Sequence, residues 1–170
     1  MKNNLNEDKK QIFWLIVEDI VKHPEFVKLK NIPHHRGNRF DHSLKVAYTS
    51  FSIAYDRGLD YESVARGAIL HDFFFTDNTK LTTKKEMRYS LNNHPKIALN
   101  NATKYFNLNL KEQNIILSHM FPLGKTLPIY RESILVSSID KKESFHEVYN
   151  YSKFISRATF LSIIMFLLNK

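Results

Sequence analysis

Apolar residues recur at spacings of three and four along most of this chain, and strand-like alternation is nearly absent, which is the pattern of amphipathic helices packed around a shared core. The periodicity predicts helices near residues 7–22, 41–57, 60–71, 83–92, 95–106, 110–120, 131–148 and 152–168. Only four glycines and five prolines interrupt it, and there are no repeats, linkers or low-complexity tracts. The expected fold is all-α, a single compact helical domain over residues 1–170.

Two apolar runs bear on location. Ile12 to Val17 is six residues long and is followed by Glu18 and Asp19, so it is neither a secretory leader nor a membrane span. The closing run from Thr159 to Leu168 has ten residues, about half of what a bilayer requires, and is expected to dock as a terminal core helix. The expected setting is the cytoplasm, without membrane attachment. Zero cysteines exclude disulfides, thiolate nucleophiles and zinc-finger sites, so any metal must be held by nitrogen and oxygen.

A formal charge of +8 favours an anionic partner, since a positive field concentrates phosphate-bearing ligands near the protein. The basic residues are spread along the chain rather than gathered in a stripe with aromatics, which argues against nucleic acid. The oligomeric state is not written in the chain.

The chemistry concentrates in six residues: His42, the adjacent pair His71 and Asp72, His94, His119 and Asp140. Helical spacing puts most of them on apolar faces, His42 with Val46, Thr49 and Ile53, His71 with Val64 and Ala68, His119 with Ile115 and Ile116, and Asp140 with Val136. A lone histidine on such a face is ordinarily a hydrogen-bonded core residue. A core that buries several imidazoles and two carboxylates together faces a large desolvation cost, which divalent metal relieves. Imidazole and carboxylate are suited to Mn, Fe, Ni, Co or Zn, and affinity order does not choose among them. The loops 33–39, 73–82 and 122–128 contain or adjoin these residues.

The segments Arg39-Phe-Asp-His-Ser-Leu-Lys-Val-Ala47, Gly67-Ala-Ile-Leu-His-Asp72, Asn93-His-Pro95, Ser118-His-Met-Phe-Pro-Leu123 and Ser138-Ile-Asp-Lys141 resemble the HD-domain superfamily of metal-dependent phosphohydrolases. His94 and His119 are similar to the additional ligands of its dinuclear branch. The resemblance implies two divalent ions, one held by His42, His71, Asp72 and Asp140 and the other by His94, His119 and the shared Asp72, with a water between them as nucleophile. Its expected substrate is a small phosphorylated molecule, a nucleotide first, cleaved at a phosphomonoester, phosphodiester or phosphoanhydride. The alternative is a non-catalytic HD-like module that keeps the metal and senses a nucleotide or docks to a protein.

Asp72 and Lys141 are the expected catalytic residues, Lys141 because it adjoins a ligand and matches the Asp-Lys pair of related sequences. Arg36, Arg39, Lys125 and Arg131 are the candidates for substrate phosphate, arginine offering two parallel donors and lysine a mobile charge. Several relatives have a lysine where this chain has Phe75, within a run Phe73-Phe74-Phe75 that either walls a pocket or packs the core. Asp77 reads as an acid or, better, a loop cap. His23 reads as a helix terminus, and His146 lies too far round its helix to join Asp140; His34 and His35 sit in a loop close to the site, where one could hydrogen-bond a phosphate or donate a proton, but they read first as surface loop residues.

Overall fold

The computed structural model describes residues 2–34, 37–146 and 149, with side chains from residue 7 onward. Helix α1, Lys2–Val21, presents Phe13, Val17 and Ile20 at four- and three-residue spacing, and all three are buried. His23 then caps α2, Pro24–Val27, its Nδ1 accepting from the Glu25 amide at 3.2 Å, as a helix terminus should. A 3-10 turn over Lys28–Asn31 leads to a two-residue ribbon, β1 Pro33–His34 paired antiparallel with β2 Gly37–Asn38. This ribbon falls inside an expected loop and leaves the fold all-α in character.

Asn38 ends the ribbon and starts α3, Arg39–Asp56, by accepting the Asp41 amide at 2.9 Å. The helix therefore opens two residues before the predicted start at 41. Gly58, at φ +62, turns the chain out of α3 in the left-handed conformation that only glycine adopts without cost. Asp60 caps α4, Tyr61–Leu70, through Ser63. After a long loop, a Thr83–Glu86 capping box opens α5, Lys84–Tyr105, and an Asn109–Glu112 box opens α6, Leu110–Ser118. A further helix, α7, runs over 131–146. The helix expected at 152–168 lies outside the described residues.

One element departs from the expected pattern. Residues 83–92 and 95–106 form a single helix, with Pro95 inside α5. Proline removes one helical N–H and so marks a boundary in a sequence. Here Ser90, His94, Ala98 and Ala102 follow at intervals of four as one buried stripe, and packing along that stripe carries the helix through.

Helix α4 lies at the centre, packed against α1, α3, α5 and α6. Gly67 lets α6 come close, since a Cβ there would sit 2.9 Å from the Ile115 side chain. Phe13, Phe26, Phe51, Ile69, Leu70, Phe73, Ile115 and Ile116 fill the core. Each such side chain contributes about 1.5–3 kcal/mol of hydrophobic free energy on full burial. Among the described residues no helix is long and apolar enough to cross a membrane.

Candidate metal centre

Helices α4 and α6 run in parallel. Their first turns meet where Asn109 Nδ2 donates to Ser63 Oγ at 3.0 Å, and their last turns meet where the His71 and His119 rings come within 4.9 Å. Both histidines are the C-cap residues of their helices, and both point Nδ1 at the carbonyl three residues back, His71 to Ala68 O at 2.7 Å and His119 to Ile116 O at 2.8 Å. A carbonyl only accepts, so each Nδ1 carries the hydrogen and each Nε2 is left with a lone pair. His94, on α5, repeats the device with Ser90 O at 3.3 Å.

Those lone pairs have nowhere ordinary to go. His94 Nε2 faces His119 Nε2 at 2.8 Å, acceptor against acceptor. His71 Nε2 is buried with no hydrogen-bond partner, and its neighbours are Asp140 Oδ1 at 3.5 Å and Asp72 Oδ2 at 3.9 Å, which as carboxylates cannot donate either. A cation is the group that satisfies such a set. The negative ends of two helix dipoles, at the C-termini of α4 and α6, favour the same charge.

Asp72 lies between two groups of donors. Its Oδ1 is 3.4 Å from His94 Nε2 and 3.7 Å from His119 Nε2, while its Oδ2 lies on the His71 side. On that side His42 Nε2, from α3, is 3.1 Å from Asp140 Oδ1, from α7. The result is a set of His42, His71 and Asp140 and a second of Asp72, His94 and His119, within each of which the ligand atoms lie inside 4.8 Å of one another. All six side chains are buried.

Electrostatics follow from this crowding. Burial alone would raise the Asp72 pKa, but His71, His94 and His119 around it hold it well below the usual carboxylate range. Asp140 is held down in the same way, burial being outweighed by His42 and His71. Burial, reinforced by His71 and His94, pushes His119 down to about 3, and burial also lowers His94. His71 is raised, Asp72 and Asp140 overcoming the effect of its burial. Ionised Asp72 and Asp140 and neutral His94 and His119 are the protonation states a metal ligand needs.

The candidates for substrate contact separate sharply. Arg39 is fully buried, with Nη1 donating to Phe74 O at 2.6 Å, both terminal nitrogens to Thr76 O at 3.2 Å, and its guanidinium 3.6 Å from the Phe74 ring centroid. Instead of presenting two donors to a phosphate, as expected, it ties down the loop after Asp72 and places a positive charge 3.9 Å from Asp72 Oδ2. Lys141 lines the cavity beside the metal ligands, but its ammonium donates to His119 O at 2.9 Å, Ser137 O at 3.0 Å and Ser137 Oγ at 2.6 Å. It thereby closes the C-terminus of α6, a cation on the orphan carbonyl end. Lys125 and Arg131 are exposed and do not line the cavity, and Arg36 lies outside the described residues.

The three phenylalanines divide. Phe73 is core, Phe74 walls the cavity with its ring 4.9 Å from that of His94, and Phe75 is exposed. Asp77 caps the 3-10 turn Asn78–Lys80 by accepting from Thr79 N and Oγ1, which settles it as turn chemistry. His34 departs from its preferred reading as a surface residue and fits the alternative that put it close to the site. It is half-buried, its ring centroid is 4.2 Å from that of His42, and it lines the cavity. No helical period reaches β1, so the only available signal was the doubled histidine in a short loop ahead of His42.

Fold and centre together define a class: a helical domain that gathers histidine and aspartate at helix ends to hold divalent cations. The family model for the HD domain matches residues 39–144, and the chain belongs to the HD-domain family, whose members are mostly metal-dependent phosphohydrolases. No curated protein and no solved structure matches the chain significantly.

Proposed function

We propose that this protein is a phosphohydrolase that uses two divalent ions to cleave a small nucleotide-like phosphate monoester, diester or anhydride. The observation that carries the reading is Asp72, which offers one oxygen to each of two buried donor groups, in which His71, His94 and His119 turn Nε2 inward with no hydrogen-bond donor facing it. Divalent ions in those positions supply Lewis acidity toward a phosphoryl oxygen and make water more acidic.

The chain's own residues supply the rest. His42, His71 and Asp140 hold one position and His94 and His119 the other. Arg39 keeps the Asp72 loop in register, and Lys141 fixes the end of α6 that carries His119. The adjoining cavity, about 450 Å³, is within the range of small-molecule sites. Phe74, Leu91, Met120 and Leu123 give it an apolar wall suited to a base or other flat group, and Asn78, Thr79 and Ser144 give it hydrogen-bonding edges. The net positive charge draws anions toward it, and Lys125 and Arg131 act in that long-range way rather than by contact.

The test is to incubate the purified protein with Mn²⁺, desalt it, measure bound metal, and assay bis(4-nitrophenyl) phosphate, 4-nitrophenyl phosphate and a nucleotide series. About two equivalents of metal, with turnover that Asp72→Ala abolishes, support the proposal. Retained metal without turnover of any ester or anhydride favours the nucleotide-sensing module. No retained metal overturns both.

A further inference from the structure

Six of the histidine and aspartate side chains at the centre are carried by helices, their caps or, for Asp72, the residue directly after a cap. A seventh candidate comes from elsewhere. His34 sits on β1, where pairing of Pro33 with Asn38 ties the ribbon directly to the residue that caps α3. That pairing returns His34 to the start of the helix that carries His42, eight positions on in the sequence. The side chain lands with a ligand-capable atom within 4.8 Å of those of both His42 and Asp72, a third donor group that shares one member with each of the other two. It also lines the cavity together with Asp72, His94, His119 and Asp140, so it approaches from the open side.

We propose that His34 is a seventh metal-ligating residue, contributed by the β-ribbon and positioned on the face of the centre that opens to the substrate cavity. The proposal rests on the metal reading above and extends it to a segment outside the helical scaffold and outside the family match at residues 39–144. The ribbon touches the Asn78–Lys80 turn, whose Asn78 and Thr79 form part of the cavity wall. Metal bound by His34 therefore orders both the ribbon and that wall. The competing role is purely structural, a ring resting on the ring of His42.

The two roles separate in His34→Phe, which keeps a ring against His42 but has no ligand atom. Full-length wild type and variants are titrated with Co²⁺, and affinity and visible absorption bands are recorded. Ligation by His34 predicts that His34→Phe and His34→Gln each lower apparent Co²⁺ affinity by about tenfold or more and shift the bands, with circular dichroism unchanged. Unaltered affinity and bands in a folded His34→Phe or His34→Gln protein overturn the proposal. Asp72→Ala is titrated alongside. Lost Co²⁺ binding in Asp72→Ala with full binding in the His34 variants overturns this proposal alone, whereas full binding in Asp72→Ala overturns the metal reading on which it stands.

Discussion

The two ends of the parallel α4–α6 pair are both rich in polar side chains, yet they are built on opposite principles. At the N-terminal end every group has a complement: Asp60 accepts from Ser63 N, Ser63 Oγ and Lys111 Nζ, Lys111 also reaches Glu132 Oε1, and Arg66 Nε lies 3.3 Å from Glu112 Oε1. At the C-terminal end, acceptors face acceptors: His94 against His119, and His71 against two carboxylates. A polar cluster that satisfies itself stabilises a fold, and one that consists of oriented lone pairs is completed by something from outside. The two ends of the same pair of helices thus separate structure from function without reference to any relative.

The most severe test of that contrast is Asp72→Ala. It should reduce metal retained after desalting to less than about one tenth of wild type and abolish turnover, because both donor groups lose their common oxygen pair. Next in size is removal of metal by chelation, which should make stability depend on pH. Unfolded, His94 and His119 titrate near 6.5; folded, His94 is lowered and His119 is held at about 3. The unfolded chain therefore binds more protons below about pH 6.5, and stability is lost as pH falls through that window, with His71 opposing in part. Urea midpoints of chelated protein at about pH 5 and pH 7.5 check the sign, and equal midpoints would contradict it.

Gly67→Ala should cost about 1–3 kcal/mol by driving a methyl into Ile115, measured by denaturant unfolding, and should weaken metal binding as the His71–His119 approach widens. Ile115→Val in the same chain should recover part of both losses. The smallest effect sharpens the comparison from the other side. Asp60→Ala removes the α4 N-cap and should cost about 0.5–2 kcal/mol while leaving metal content unchanged; metal loss in that variant would mean that the two ends are not independent.

Much of this was legible in the residues. The helices announced themselves by spacing, and His71-Asp72 marked the end of α4. Pro95 misled because a local breaker was overruled by a stripe of buried residues on both sides of it, which is a property of packing and not of the tripeptide. Arg39 misled for a related reason. Its donors match a phosphate as well as they match two carbonyls, and only the folded loop decides which it meets. His34 was legible only as a loop residue close to the site, because a two-residue strand has no period to read.

Because Asn109 and Ser63 fix one end of the helix pair and His119 and His71 occupy the other, the intervals 63–71 and 109–119 act as rulers of set length. One residue added or removed within either would rotate its histidine by about 100° and shift it by about 1.5 Å along the axis. The loops at 73–83 and 121–130 are pinned at single points, Phe74 and Thr76 by Arg39 and Leu127 and Ile129 by Asn114, but set no helical phase between those points. Across evolutionary time, natural variation in chain length should collect in those loops and be absent from the two rulers, so that gaps, as much as substitutions, would trace the outline of the centre.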